Sequence, residues 1–254
     1  MQVREAAYFR FYAGLNDHLK VDDRYRTVER LLLVPTAVKD IIESFGVPHP
    51  EVSAIVANYE FVDFRYVVRR GDRIAVYPPF QSQWLRPGLI LRPDLHREEP
   101  RFVLDVHLGK LAAYLRMLGM DTLYQSCFSD PELVRISTEE RRVLLTRDRG
   151  LLKHGAVDHG YWLRETDSRR QAAEVIERFD LSGWIRPFSR CMACNDMLEA
   201  VEKESIEREL PARVAQLHTE FQRCRRCGRV YWKGSHYDRM LAWIKQLTAP
   251  PASP

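Results

Sequence analysis

The sequence lacks an apolar run of the roughly 20 residues needed to cross a bilayer. Its first residues, MQVREAAYFRFY, also lack the apolar stretch of a secretion signal. We therefore expect a cytoplasmic protein with no membrane partner. The 254 residues carry a net charge of only +4, which permits an anionic partner but is no evidence for one. Local clusters of basic residues are more informative.

Disulfide bonds are a second expected absence, because the five cysteines are an odd number and no secretion signal precedes them. Four form two tight pairs, Cys191/Cys194 and Cys224/Cys227, and Cys127 stands alone. A Cys-x-x-Cys pair presents two thiolates to one ion, and two pairs complete a closed tetrahedral site with a structural role. We predict a zinc ribbon; a redox dithiol is the weaker alternative, and Cys127 is expected to be a buried or partly buried thiol.

The composition is that of an ordinary globular protein, with 45% hydrophobic and 29% charged residues, and the length suits two or three small domains. The pattern of residues 1–80 predicts two strands, a helix and two more strands. The proline-containing stretch 81–100 is typical of a linker. Four strands alternate with four helices over 101–185, which favours a parallel sheet. The cysteine pairs occupy 186–245, and 246–254 are expected to be a disordered tail.

Acidic residues follow the strands of the α/β region. Asp105 ends the first strand, Asp130 opens the helix after the second, and Asp148 follows the third. Ligands of such sheets bind outside the carboxyl ends of the strands, and clustered carboxylates repel each other unless a cation binds. We therefore expect these acids to hold Mg²⁺ or Mn²⁺ for phosphodiester hydrolysis. Arg147 and Arg149, which flank Asp148, are suited to bind a phosphate.

Capping is the main alternative for these acids. Asp130 and Asp167, which follows the fourth strand, can each be a helix N-cap and nothing more, and Asp148 can be a turn residue. Asp105 lies at the mouth of an apolar strand, where a carboxylate carries a desolvation cost unless it has a function. Glu132 can replace or assist Asp130, so metal ligation by Asp167 or Glu132 stays open.

Two segments, FVLDVHLGKLAAYLRMLGMDTLY and DPELVRISTEERRVLLTRDRGLLK, resemble a PIN-like ribonuclease domain family named after the C-terminal part of the exonuclease mut-seven. The tail GRVYWKGSHYDRM is similar to the tail of the same family, so the resemblance spans about 101–240. It implies a PIN-like fold and a metal-dependent ribonuclease. The catalytic positions that it implies are Asp105, Asp130 and Asp148, with Lys110 and Arg147 as phosphate partners.

The chain departs from that family's pattern at two places. Val106 stands where relatives often carry a second acid, and Ile136-Ser137-Thr138 replaces an alanine-rich helix middle. Neither departure removes a matched acid, although the first can weaken metal binding.

The segment VANYEFVDFRYVVRRGDRIAVYPPF resembles the second half of the β-grasp, ubiquitin-like sulfur carriers of thiamin and molybdopterin synthesis. Those carriers use a free C-terminal Gly-Gly, whereas this segment ends at Pro78-Pro79-Phe80-Gln81 and the chain continues. We expect a β-grasp domain that docks a protein partner or guides the substrate. A stabilising appendage is equally open, and an adaptor in sulfur-carrier metabolism is a further alternative.

Basic and aromatic residues alternate around the second cysteine pair, a pattern that suits single-stranded nucleic acid. The alternative is that Tyr231 and Trp232 pack the ribbon while the arginines are only solvated. The segment between the pairs contains MLEAVEKESIEREL, for which we predict a helix. The predicted RNA-binding residues are Arg149, Arg225, Arg226, Arg229, Trp232 and Lys233.

Together these features predict an α/β protein with a PIN-like parallel sheet, an N-terminal β-grasp domain and a C-terminal zinc ribbon. The predicted function is a metal-dependent ribonuclease with structural zinc and catalytic Mg²⁺ or Mn²⁺. A non-catalytic protein that binds RNA or the ribosome is the alternative. The sequence carries no signal for the oligomeric state.

Overall fold

The computed structural model describes residues 6–79, 91 and 99–248, without the side chains of 235, 236, 247 and 248. The chain forms two compact units, each made of two stretches of sequence. The first unit holds Met1–Arg97 and Asp130–Trp162, and the second holds Glu98–Ser129 and Leu163–Pro254. The predicted linker 81–100 lies almost entirely outside the described residues, as does most of the predicted tail.

The N-terminal part of the first unit is a five-stranded β-grasp sheet of order β2-β1-β5-β3-β4. Strands β1 and β5 pair in parallel, and the other neighbours are antiparallel. One helix packs on the sheet and buries its apolar side chains against it. The elements are β1 (Ala6–Phe11), β2 (Thr27–Leu31), α1 (Val38–Ser44), β3 (Ala54–Ala57), β4 (Glu60–Val62) and β5 (Arg73–Tyr77).

The second half of this domain has three strands where the sequence predicts two. The first predicted strand is a hairpin of β3 and β4. Asn58 and Tyr59 form its turn with φ values of 49° and 74°, a conformation that Asn adopts at little cost and Tyr rarely does. Helix α1 ends before Gly46, whose φ of 99° is a conformation that glycine adopts without strain.

Residues 99–180 alternate strands and helices, as expected. In chain order the elements are β6 (Phe102–Leu104), α2 (Gly109–Met117), β7 (Thr122–Leu123), α3 (Asp130–Glu139), β8 (Val143–Thr146), α4 (Arg149–Leu152), β9 (Gly160–Trp162) and α5 (Ser168–Phe179). Strands β8 and β9 form a parallel pair in the first unit, and β6 and β7 form one in the second. All residues of β6 and β8 are buried, which explains why these strands are apolar without alternation.

The C-terminal region is a three-stranded antiparallel sheet of order β10-β11-β12 with helices between and after the strands. Its elements are β10 (Leu198–Val201), α6 (Lys203–Ile206), α7 (Ala212–Leu217), β11 (Phe221–Cys224), β12 (Val230–Trp232) and α8 (Ser235–Thr248). The predicted helix MLEAVEKESIEREL is wrong at its start, because Leu198–Val201 pair with β11 as a strand. Helix α8 runs past residue 246, where the tail was expected to begin. Among the described residues no helix has the length and apolar character that a membrane span requires.

Candidate active site and metal centre

Asp130 and Asp148 lie on the same groove of the first unit. Asp130 is the first residue of α3, and Asp148 lies two residues after the carboxyl end of β8, as the N-cap of α4. Both carboxylates are exposed, and both line a cavity of about 750 Å³ between α3 and the segment that contains α4. Val134 and Leu151 contribute apolar walls, and Lys153 contributes a cation. The structure thus brings two of the three predicted metal-binding acids to one solvent-accessible groove.

Local hydrogen bonds fix the conformation of Asp148. Its Oδ1 accepts a hydrogen bond from the Gly150 amide at 2.7 Å, so it is the N-cap of α4, and its own amide donates to Thr146 Oγ1 at 2.9 Å. A Cβ at Gly150 would lie 3.1 Å from Oδ1, closer than most Cβ contacts. The capping interpretation is therefore correct for one carboxylate oxygen. Oδ2 accepts no hydrogen bond from the described part of the chain and can bind a cation.

Asp105 belongs to the second unit and has a different environment. It directly follows β6 and is only 8% exposed. Its carbonyl accepts a hydrogen bond from the Leu108 amide at 2.9 Å, which begins the turn into α2. The Tyr124 hydroxyl supports that turn by donating to the Val106 carbonyl at 2.9 Å. Gly109 permits this contact, since a Cβ there would lie 2.7 Å from the Tyr124 hydroxyl oxygen.

The two arginines beside Asp148 have different surroundings. The Arg147 side chain is exposed, and its carbonyl accepts a hydrogen bond from Trp162 Nε1 at 3.1 Å. Arg149 instead donates from its guanidinium to the His18 carbonyl at 3.3 Å and stacks 5.1 Å from the centre of the Trp162 ring. Arg149, predicted to bind RNA, is thus in contact with the β-grasp domain.

The remaining candidates lie at helix starts. Lys110 is exposed in the first turn of α2, and Glu132 is exposed in the first turn of α3. Asp167 is the N-cap of α5 and accepts hydrogen bonds from the amides of Arg169 and Arg170 at 3.0 and 3.1 Å. This cap accounts for Asp167 without a metal.

The four paired cysteines form a compact cluster in the second unit. Their sulfur atoms all lie within 4.8 Å of one another, and among the described residues they are the one set of three or more potential metal ligands gathered in this way. Cys191 and Cys227 are 3.6 Å apart, and Cys194 and Cys224 are 3.3 Å apart. Four sulfurs at about 2.3 Å from a tetrahedral zinc ion would be separated by about 3.8 Å. The cluster therefore fits a metal ion such as zinc.

The two cysteine turns have the same backbone design. In the first, the Asn195 amide donates to the Cys191 carbonyl at 2.9 Å, and in the second, the Gly228 amide donates to the Cys224 carbonyl at 3.0 Å. Asn195 and Gly228 have φ values of 74° and 71°, in the left-handed region that Gly and Asn tolerate best. Each turn therefore closes behind its second cysteine, Cys194 or Cys227, with a residue type suited to that conformation.

The surroundings of Cys191 and Cys194 shift the pKa values of the two thiols in opposite directions. Burial opposes ionisation of Cys191, but hydrogen bonds from the Tyr231 hydroxyl and from the amides of Cys194 and Ala193 outweigh it and lower its pKa to about 6. Burial raises the pKa of Cys194 to about 12. A bound cation favours the thiolate form of every ligand. The Tyr231 hydroxyl lies 3.1 Å from Cys191 Sγ, so Tyr231 packs against the cluster, as the structural alternative expected.

Sequence reasoning missed Arg116, which joins α2 to the first cysteine turn. Its side chain is buried, and its guanidinium donates to the Ala193 and Met192 carbonyls at 2.9 and 3.2 Å and to the Thr122 carbonyl at 2.9 Å. Burial lowers the pKa of Arg116, and the charges of Cys194, Cys191 and Asp121 oppose that shift. A cation on the apolar face of α2, one residue after the buried Leu115, was the available signal.

Asn195 provides a second connection between the cysteine turn and the α2–β7 region. Its side-chain oxygen accepts from the Thr122 amide at 2.9 Å, and its side-chain nitrogen donates to Asp121 Oδ1 at 2.9 Å. Arg190 adds bonds to the carbonyls of Gly119 and Asn195 at 3.1 and 3.0 Å. The metal centre is therefore integrated with the α/β region of its own unit.

Cys127 lies outside the cluster. The expectation of a buried or partly buried thiol is wrong, because Cys127 is exposed. It lies in the loop before α3, where Gln125, Ser126 and Ser129 are also exposed.

The predicted RNA-binding residues of the ribbon lie at its surface. Trp232 is 38% exposed, and Arg226 and Arg229 are exposed. Arg225 pairs with Glu199 at 2.7 Å, and Lys233 pairs with Glu220. Exposed pairs of this kind contribute about 0–1 kcal/mol, so a phosphate can replace the carboxylate at small cost.

Two family matches cover most of the chain. The Mut7-C RNAse domain matches residues 100–244, and the Mut7-C ubiquitin domain matches residues 4–84. No curated protein and no solved structure matches. The first match covers more than half of the 254 residues and includes the three aspartates and the four cysteines. The chain therefore belongs to the Mut7-C RNAse domain family, with a Mut7-C ubiquitin-like domain at its N-terminal end.

Proposed function

We propose that this protein is a metal-dependent ribonuclease that hydrolyses RNA phosphodiester bonds with Asp105, Asp130 and Asp148 as metal ligands. The observation that carries the proposal is the placement of Asp130 and Asp148 on one open groove inside the matched RNAse domain. Asp105 is added because it follows a parallel strand of the same domain, as Asp148 does. Carboxyl ends of parallel strands are where ligands of such folds bind.

The donor set suits a hard divalent cation. Carboxylate oxygens with room for water are the ligands that Mg²⁺ and Mn²⁺ prefer, and the exposure of Asp130 and Asp148 leaves that room. When bound, such an ion activates a water and stabilises charge on the leaving oxygen. The burial of Asp105 would strengthen its attraction to the ion, because charges interact more strongly away from water.

Two cations of the domain have roles toward the substrate in this proposal. Arg147 directly precedes Asp148 and has an exposed guanidinium, and Lys110 is exposed near the start of α2. Both would neutralise the phosphate that is cut and orient it for attack. Since neither side chain is buried, each can reach the flexible backbone of an RNA strand.

The cysteine centre has a structural role in the proposal. Four sulfur ligands leave no open coordination position, so zinc would hold the ribbon without touching the substrate. The exposed Arg226, Arg229 and Trp232 would then contact single-stranded RNA by charge and by stacking on bases, together with Arg225 and Lys233 once they leave their carboxylate partners.

The test is cleavage of a labelled single-stranded RNA by the full chain with Mg²⁺ or Mn²⁺. Asp148→Asn preserves the side-chain oxygen that caps α4 but removes the charge, so we expect cleavage to fall by at least about 100-fold while the protein stays folded. Asp105→Asn should do the same. Asp180→Asn is the matched control, since Asp180 is exposed with a φ of 49° that Asn also tolerates.

Chelation completes the test. EDTA should abolish cleavage, and Mg²⁺ or Mn²⁺ alone should restore it, which separates the catalytic ion from zinc. Cleavage that survives EDTA and Asp148→Asn would refute the proposal. Absence of cleavage by the unmodified protein, together with RNA binding that survives EDTA, would instead support the non-catalytic RNA-binding alternative.

A further inference from the structure

The turn that carries Asp148 is in direct contact with the β-grasp domain. Strand β9 pairs with β8 in parallel and places Trp162 opposite Thr146. From there Trp162 Nε1 donates to the Arg147 carbonyl at 3.1 Å. Trp162 is thus bonded directly to the Arg147–Arg149 turn. Groups that fix the position of Trp162 therefore also restrain that turn.

A buried carboxylate of the β-grasp domain holds Trp162. Glu51 Oε1 accepts a hydrogen bond from the Trp162 backbone amide at 2.8 Å, and Oε2 lies 3.0 Å from His18 Nε2. The side chains of His18 and Glu51 are 0% and 3% exposed. The His18 ring also lies 5.0 Å from the Trp162 ring. Buried charged groups with several partners are poor sources of stability but tolerate few alternative positions, so they specify geometry.

Two cations of the α4 segment complete the contact from the other side. Arg149 donates to the His18 carbonyl at 3.3 Å and stacks on Trp162. Lys153 Nζ donates to the Glu43 carbonyl at 2.7 Å, in the last turn of α1. Carbonyls at the carboxyl end of a helix carry partial negative charge and favour a cation. We call these interactions of Glu51, His18, Arg149, Lys153 and Trp162 the docking contact.

From this geometry we infer that the β-grasp domain is a positioning element of the nuclease site, with Glu51, Arg149 and Lys153 as positioning residues. Asp148 lies between Arg147, whose carbonyl is held through Trp162, and Arg149, whose side chain is held through His18. The domain therefore restrains the chain on both sides of Asp148. The kinetic consequence rests on the proposed nuclease function, whereas the structural consequence does not.

The structural consequence is measured by amide hydrogen exchange on the full chain. The amides of Asp148 and Gly150 are bonded to Thr146 Oγ1 and Asp148 Oδ1, so their exchange reports the conformation of the turn. Arg149→Ala should raise their exchange by about tenfold or more, because the turn opens locally without global unfolding. Arg149→Lys, which keeps a donor for the His18 carbonyl, should restore part of the protection.

The kinetic consequence separates positioning from phosphate binding. Arg149→Ala should lower kcat by about tenfold to a hundredfold with KM unchanged, since small displacements of a reacting group have effects of this size. Glu51→Gln should lower kcat in the same way, although it is remote from any phosphate. Arg65→Ala is the matched control, because Arg65 is an exposed arginine of the β-grasp domain, paired only with Asp63 among the interactions described.

Two results would overturn the inference. One is unchanged exchange at Asp148 and Gly150 in Arg149→Ala. The other is a raised KM with a weaker salt dependence and unchanged kcat, which would make Arg149 a phosphate contact. If the unmodified protein cuts no RNA, the proposed function fails, and hydrogen exchange alone still decides the positioning role.

Discussion

The two predicted metal sites differ in how much of their geometry is local. The four cysteines come from two turns of the same design, and their sulfur atoms lie within 4.8 Å of one another. The three aspartates follow or open three separate elements, and Asp148 already has a capping bond to the Gly150 amide. A Cys-x-x-Cys pair therefore predicts half of a site by itself. An aspartate at a strand end predicts a site only together with the fold around it.

The two sites also differ in how far their surroundings are buried. The buried Arg116 and the half-buried Asn195 hold the first cysteine turn, since each is bonded to both that turn and the α2–β7 region. The groove of Asp130 and Asp148 is open to solvent. We therefore expect loss of a cysteine to affect folding and loss of an aspartate to affect chemistry.

The largest expected effect is that of removing a cysteine ligand. Cys191→Ser should reduce bound zinc to well below one per chain and lower the free energy of unfolding of the second unit by more than about 3 kcal/mol, because metal binding is coupled to folding. Metal analysis and thermal unfolding measure both quantities.

Cys127→Ser is the matched control for that change. Cys127 is exposed and lies outside the cluster, so zinc content and unfolding should match those of the unmodified protein. Full zinc content and unchanged unfolding in Cys191→Ser would show that the cluster is not the metal site, and the contrast with the aspartates would disappear.

Arg116→Met should lower the free energy of unfolding by a smaller amount than Cys191→Ser does. The change removes the guanidinium donor from the Ala193, Met192 and Thr122 carbonyls. The bond to Thr122 is buried, and a buried acceptor left without a partner costs about 1–3 kcal/mol. It also removes a positive charge that interacts with Cys194 and Cys191, so zinc affinity should fall. Competition with a zinc-binding dye measures the affinity. Unchanged affinity with lowered stability would limit Arg116 to a packing role.

The sequence predicted those features that depend on short-range patterns. Strand and helix alternation after residue 100 is confirmed, because each strand is an apolar run and each helix has its own periodicity. The cysteine cluster is confirmed for the same reason. The hairpin of β3 and β4 was missed because its turn places Tyr59 at a positive φ, against the preference of Tyr.

Long-range partners could not be predicted. The position of Arg149 beside Asp148 predicts a phosphate ligand. Its guanidinium nevertheless contacts His18, which is 131 positions away in the sequence. Arg116 likewise contacts Ala193 across 77 positions. Sequence spacing gives the local role of a charged residue, whereas its partner is decided by the tertiary fold.

The smallest expected effect on stability is at Asp148, where capping and charge can be separated. Asp148→Ala removes the oxygen that accepts the Gly150 amide and should cost about 1 kcal/mol, as should Asp167→Ala at α5. Asp148→Asn keeps that oxygen and should change the free energy of unfolding by less than about 0.5 kcal/mol. Chemical denaturation measures all three variants. A loss in Asp148→Asn as large as in Cys191→Ser would mean that Asp148 is a structural residue like the cysteines, and the functional reading of the aspartates would fail with it.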